Sequence, residues 1–306
     1  MNWFGDAFAT FQSALFDMVA PWLYQLGMGN LLEDAYAAST WLLVGLIQIA
    51  LLLLVVGPLQ RWRPAEPVTD RATIRTDVIY TLIHRLGLFR VALFFTLEPI
   101  FNNSIGFLRT AGVGTFHLDQ VWPGVTDGAV ASFLIYLLAF DFAAYWLHRG
   151  QHRISFWWRL HSLHHSQRQM TMWSDNRNHL IDDVLMSVLL VLLALLIGVA
   201  PEQFVAIVAL TQLSESLQHA NVRLSFGRIG ERLWVSPLFH RVHHSVQSGE
   251  SNYGVLLPWW DQLFGTANFQ THYDPTGVKD AQALRDDGSG LWSQQWRGLK
   301  RLLGRA

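Results

Sequence analysis

Ten of the chain's thirteen histidines fall between His148 and His244, and eight of these stand in three short groups. The groups are His148-Arg-Gly-Gln-His152, His161-Ser-Leu-His164-His165 and His240-Arg-Val-His243-His244. On a helix, residues three and four apart project from one face, so each group aims two or three imidazoles at a common point. Neutral imidazole ligates iron, copper, nickel or zinc. At a histidine frequency of about 4%, chance yields about 0.02 HxxHH triads in a chain of this length, and two are present. The chain has no cysteine, which excludes disulfides, iron–sulfur clusters, zinc–thiolate sites and thiolate-ligated haem. Any metal is therefore held through nitrogen or oxygen.

Isolated histidines are ordinarily surface or satisfied core residues, and His84, His117 and His272 take that reading. His179, at the start of an apolar run in Asn176-Arg177-Asn178-His179, and His219, one helical turn after Glu215 at the end of another, lie level with the three groups and join them as candidate ligands. Ten imidazoles suffice for two octahedral metals with open positions, whereas a single zinc saturates at four. A mononuclear site of two histidines and one carboxylate needs an acidic ligand, and none lies within these motifs. Ligating imidazoles usually pass their other N–H to a carboxylate. Helical spacing offers Asp141, seven residues before His148, and Glu215, four before His219, with Asp182 and Asp183 as further partners.

The elements that must position these residues read as membrane helices. Hydrophobic residues make up 51% of the 306, and the balance of 22 basic against 23 acidic residues gives no concentrated positive surface for a nucleic acid. Apolar runs at Trp41–Pro58, Leu86–Phe101, Ala129–Leu147, Val184–Ala200 and Phe204–Gln218 predict four or five spans, the last two joined as a tight hairpin across Pro201-Glu202-Gln203. The N-terminus has no basic residue ahead of an apolar core and does not read as a secretory signal.

Lys and Arg accumulate on cytoplasmic flanks. The first sixty residues contain neither, and Arg61, Arg63, Arg71 and Arg75 follow the first span. Arg149, Arg153 and Arg177 read as flanking charges of the same kind. The alternation places every histidine group on the cytoplasmic side. The organisation expected is an N-terminal region with the first span (1–70), a membrane domain (71–266) and a polar tail (267–306). That tail ends in an amphipathic basic helix, Leu291–Leu303, with two tryptophans, suited either to the membrane interface or to packing on the domain surface.

The order HxxxH, HxxHH, HxxHH around hydrophobic spans resembles the fatty acid hydroxylase and sterol desaturase superfamily of integral-membrane di-iron proteins. Asp141-Phe-Ala-Ala-Tyr145-Trp146-Leu-His148-Arg149, Gln218-His219-Ala-Asn221, Asn252-Tyr253-Gly254 and Trp260-Asp261-Gln-Leu-Phe264-Gly265-Thr266 add to the likeness, which covers about residues 70 to 270. The resemblance implies an all-α, multi-pass bundle with a cytoplasmic di-iron site in a bacterial inner membrane. It implies that His148, His152, His161, His164, His165, His179, His219, His240, His243 and His244 ligate two irons, with O2 as co-substrate and a bilayer lipid as substrate. Hydroxylation and desaturation are both open. No flavin or haem signature is present, so electrons are expected from a separate ferredoxin-like or cytochrome-type donor. The reading from another class is a membrane zinc-binding or metal-transport protein, whose ligands would lie along a pathway near the bilayer midplane.

Overall fold

Local signals set the helix ends. Asp70 caps a helix by accepting from the backbone N–H groups of Ala72 (2.8 Å) and Thr73 (3.1 Å), Ser236 caps another through Phe239 N–H (3.0 Å), and Pro201 and Pro237 stand where a first-turn N–H is not needed. Gly87 and Gly198 end helices in the left-handed conformation that a side chain disfavours.

The computed structural model describes residues 3–305. Its helices are α1 (Trp3–Gln25), α2 (Leu32–Leu51), α3 (Gly57–Trp62), α4 (Arg71–Arg85), α5 (Leu88–Thr96), α6 (Glu98–Thr110), α7 (Ala129–Arg153), α8 (Ser155–His165), α9 (Leu180–Ile197), α10 (Pro201–His219), α11 (Gly227–Gly230), α12 (Pro237–His243), α13 (Trp259–Leu263), α14 (Ala281–Leu284) and α15 (Leu291–Leu302). The fold is a multi-pass helical bundle, with no β-strand among the described residues.

Among the described residues, three helices are long and apolar enough to cross a membrane: the continuous stretch Gly29–Trp62, α7 and α9. A π-helical turn, Leu52–Val56, lies within the first and seats Leu52 and Val56 against Met172, Ala220 and Val222. The expected span at Leu86–Phe101 is instead a broken one. Its chain turns by 53° between α4 and α5, because Gly87 takes φ 78° there. The expected fifth span is helix α10, which falls short of the apolar character of a crossing helix: its interior carries Gln203, Thr211, Gln212, Ser214, Glu215, Ser216 and Gln218.

Two kinds of packing join these helices. An apolar core of Tyr136, Leu137 and Phe140 of α7, Ile207 of α10, and Leu256 and Leu257 is flanked by Leu190, Leu193 and Ile197 of α9. A buried polar core is centred on Arg85. Its guanidinium donates to Gln48 Oε1 (2.9 Å) of α2, Gln212 Oε1 (2.6 Å) and Ser216 Oγ (2.9 Å) of α10, and Asp175 Oδ2 (2.8 Å). Helix α2 comes this close to α4 because residue 45 is glycine: a Cβ there would collide with the carbonyl oxygen of Arg85. Arg177, whose position suggested a flanking charge, is fully buried and ion-paired with Asp77 of α4. That pair fastens the loop before α9 to α4. The C-termini of α7 and α10, the N-terminus of α9, and helices α8 and α12 consequently meet at one end of the bundle.

Candidate metal centre

Successive residues of a helix point about 100° apart, so an adjacent pair of histidines cannot serve one point. In both HxxHH motifs the pair divides. His165 of α8 and His243 of α12 join His148 and His152 of α7, while His164 and His244 join His219 of α10 and His240 of α12. Within each quartet, one ring nitrogen from every residue lies within 4.8 Å of all the others. The quartets abut, with the rings of His165 and His244 stacked at 4.2 Å and those of His164 and His165 at 5.4 Å.

Four imidazoles cannot satisfy each other in this arrangement. In the second quartet, His219 Nε2 lies 3.1 Å from both His164 Nε2 and His240 Nε2, and His240 Nε2 is also 3.2 Å from His244 Nε2. Each Nε2 carries either one proton or one lone pair, and so makes one hydrogen bond rather than two. A central cation resolves the crowding. At a metal–nitrogen distance of about 2.1 Å, neighbouring nitrogens stand about 3.0 Å apart in an octahedral shell and about 3.4 Å apart in a tetrahedral one, which brackets the observed spacing.

Several tautomers are set by outer partners. His148 Nδ1 donates to Tyr253 O (2.9 Å), His219 Nδ1 to Glu215 O (2.8 Å) and His243 Nδ1 to Ser251 O (2.7 Å), which leaves each Nε2 as a lone-pair donor facing its quartet. His152, His161, His164, His165, His240, His243 and His244 each bury a ring nitrogen without a hydrogen-bond partner among the described residues. Burial, followed by neighbouring imidazoles, pushes His164, His165, His240, His243 and His244 well below the ordinary histidine pKa. They are neutral near pH 7, the form that binds a metal.

His161 lies between the quartets, its ring 5.1 Å from His165 and 5.3 Å from His164, with Nδ1 on Asp182 (3.1 Å) and Nε2 free. His179 stands apart from both. Its Nδ1 accepts from Ile181 N–H (3.2 Å), capping α9, and its Nε2 faces Gln295 O (2.9 Å), so neither nitrogen is left for a metal.

The carboxylates take other positions than their spacing suggested. His219 uses the backbone carbonyl of Glu215, whose carboxylate makes no hydrogen bond or ion pair among the described residues. Asp141 does not touch His148. It accepts from the N–H groups of Leu256 (2.8 Å) and Leu257 (3.2 Å) and from Trp260 Nε1 (2.9 Å), holding the loop whose Tyr253 carbonyl orients His148. Asp182 makes the direct carboxylate–histidine contact, braced by Gln151 Nε2 (2.9 Å) and Trp157 Nε1 (2.6 Å), and Asp183 lies 3.3 Å from His84. Spacing along the chain gives no sign of Asp261, which accepts from Tyr253 N–H (2.8 Å), Gly254 N–H (2.7 Å) and Thr266 Oγ1 (2.6 Å); the only trace was the Asn252-Tyr253-Gly254 and Trp260-to-Thr266 likeness.

Residues 133–266 match the family model described as fatty acid hydroxylase. An ornithine lipid hydroxylase of Rhizobium tropici is 29% identical over 216 residues, 69% of this chain and 63% of that protein. The alkylglycerol monooxygenase of Caenorhabditis elegans is 29% identical over 137 residues, 44% of this chain and 26% of its own length. A Delta(7)-sterol 5(6)-desaturase of Aspergillus fumigatus is 26% identical over 168 residues, 48% of this chain and 50% of that protein. The chain thus spans less than two thirds of each of these relatives. No solved structure matches it.

Proposed function

We propose that the two histidine quartets hold one iron each and that the chain is a membrane-bound lipid hydroxylase, a reading supported by the match of residues 133–266 to the fatty acid hydroxylase model. The divided histidine pairs carry this reading, because they build two adjoining nitrogen-only sites from one set of helices. His148, His152, His165 and His243 hold one ion, and His164, His219, His240 and His244 the other. His161, with Nε2 free between them, supplies a ninth ligand. When bound, such an iron pair supplies oxidation of an unactivated C–H bond by O2, with electrons from a separate ferredoxin-like or cytochrome-type protein.

The chain's own contribution is positioning and exclusion of water. Carbonyls of Tyr253, Glu215 and Ser251 and the carboxylate of Asp182 fix ring orientation, which keeps the donor atoms aimed without reorganisation. Burial of the quartets keeps the imidazoles neutral and the centre dry. A site at the ends of crossing helices suits a substrate that stays in the bilayer, and the relatives' names point to an amphiphilic lipid. Hydroxylation is preferred to desaturation because the relative matched over 69% of this chain is named as a lipid hydroxylase, against 48% for the desaturase. The arginine distribution supports a centre on the cytoplasmic side of the membrane, which we read as a bacterial inner membrane. A transporter would string its ligands along a pathway, whereas these close on themselves.

Mass spectrometry of lipid extracts from expressing cells grown under isotopically labelled dioxygen tests the reading. One lipid class should gain a single labelled oxygen atom in cells with the wild-type chain and not in cells with His164→Ala. Absence of any oxygenated lipid with the wild-type chain would sink it, and loss of two hydrogens without oxygen would make the chain a desaturase.

A further inference from the structure

Helix α15 is turned inside out for a protein surface in water. Its buried face is polar, formed by Gln294, Gln295, Gly298 and Arg301 with Leu291, and its exposed face carries Trp292 (78% exposed), Trp296 (58%) and, just beyond its end, Leu303 (59%). Water selects the opposite arrangement. We propose that this outer face lies on the anionic headgroup region of the membrane, so that α15 is an interfacial helix laid against α8 and α4.

Contacts of the inner face set its depth. Gln295 Oε1 accepts from the N–H of Leu180 (2.9 Å), the first residue of the membrane-crossing helix α9, and Gln295 Nε2 donates to Asn178 O (3.0 Å) and to Tyr80 Oη (2.8 Å) of α4. Gly298 lies flat against the His179 ring, where a Cβ would collide with Cδ2. Arg301 Nε donates to Arg159 O (3.1 Å) of α8, and its Nη1 pairs with Asp286 (2.6 Å). These bonds hold α15 at the level where α9 enters the bilayer and α7 leaves it.

Ile154 and Phe156, at the α7–α8 junction, and Ile181, next to the Leu180 that Gln295 holds, are also exposed. Together with Trp292 and Trp296 they form a belt of the kind aromatic and aliphatic side chains make at a bilayer boundary. Charge selects the lipid. Residues 291–306 contain no acidic residue, and of their basic residues Arg297 and Arg301 pair with Asp286, which leaves exposed Lys300 and Arg305 for an anionic headgroup. Lys300 lies over the Trp296 ring with its ammonium 5.6 Å from the centroid, an apolar stem on the belt and a charge directed past it.

The absence of cysteine makes the test clean, since a single introduced thiol labels uniquely. Full-length chains carrying Trp292→Cys, Trp296→Cys or, as a solvent control, the highly exposed Glu250→Cys are spin-labelled in nanodiscs of phosphatidylcholine with phosphatidylglycerol. Accessibility to oxygen and to a water-soluble nickel chelate is then compared. The labels at 292 and 296 should be oxygen-accessible and shielded from nickel, with the reverse at 250. In discs of phosphatidylcholine alone, where Lys300 and Arg305 lose their anionic partners, the label at 296 should become more mobile while its depth, set by the inner-face bonds, is kept. Nickel accessibility at 292 and 296 equal to that at 250 would overturn the proposal, as would dipolar broadening at these sites from a second copy. Label mobility at 296 unchanged by the loss of phosphatidylglycerol would overturn the anionic component. None of these readings depends on metal content.

Discussion

Residues three and four apart bring imidazoles to one helix face, and the extra residue in HxxHH sends one ring of each adjacent pair to the neighbouring ion. His240 serves one quartet only, so His240→Ala should leave a folded chain holding about half the wild-type metal, read by elemental analysis. His179→Ala should retain the full metal content and lower the thermal midpoint in detergent, consistent with loss of a helix cap of about 1–2 kcal/mol. Loss of metal from the second variant with stability intact would return His179 to the ligands. Of the ten histidines that the sequence offers as ligands, nine face or flank the quartets, because helical periodicity is a local property. It did not expose the role of His179, since a histidine before a helix reads alike whether it caps or ligates. Nor did it assign the carboxylates: backbone carbonyls of Tyr253 and Glu215 took the places expected for Asp141 and for the side chain of Glu215, and carbonyls leave no trace in residue type.

At the scale of elements, Asp182 links α9 to α7 and α8 through Gln151, Trp157 and His161. Asp182→Asn should weaken metal binding by about 10–100-fold, measured by competition with a chelator of known affinity, while the helices remain formed. Unchanged affinity would mean that His161 takes no part in the centre. At the other junction, Gly45→Ala drives a methyl group into the Arg85 carbonyl and should destabilise the detergent-solubilised chain by about 1–3 kcal/mol. The long apolar runs were legible as crossing helices at α2, α7 and α9 because length and composition decide them. The break at Gly87 was not, since one glycine in an apolar run is compatible with either a straight or a bent span. Helix α1, which packs on α2 with exposed Trp3, Phe11 and Trp22, carried no sequence signal strong enough to define it. Arg177 looked like a flanking charge because its buried partner, Asp77, lies 100 residues away in the chain.

For the whole molecule, burying neutral imidazoles together makes the end of the bundle that holds them sensitive to acid. His164, His165, His240, His243 and His244 are held below the ordinary value of about 6.5 by burial. Below that pH the unfolded chain takes up protons that the folded one refuses, so stability is full above about 6.5 and is lost as pH falls from there through the lowered folded values. The thermal midpoint of the metal-free chain should therefore drop between pH of about 7.5 and about 5.5 and stay flat above about 7. Metal should resist that drop and chelator should restore it. The central claim, two adjoining ions in one cage of histidines, is tested most directly by elemental analysis joined to Mössbauer spectroscopy of the chain purified from iron-replete cells. The expected result is two irons per chain, magnetically coupled as neighbours. A single metal, or zinc filling both quartets with no iron, would contradict it.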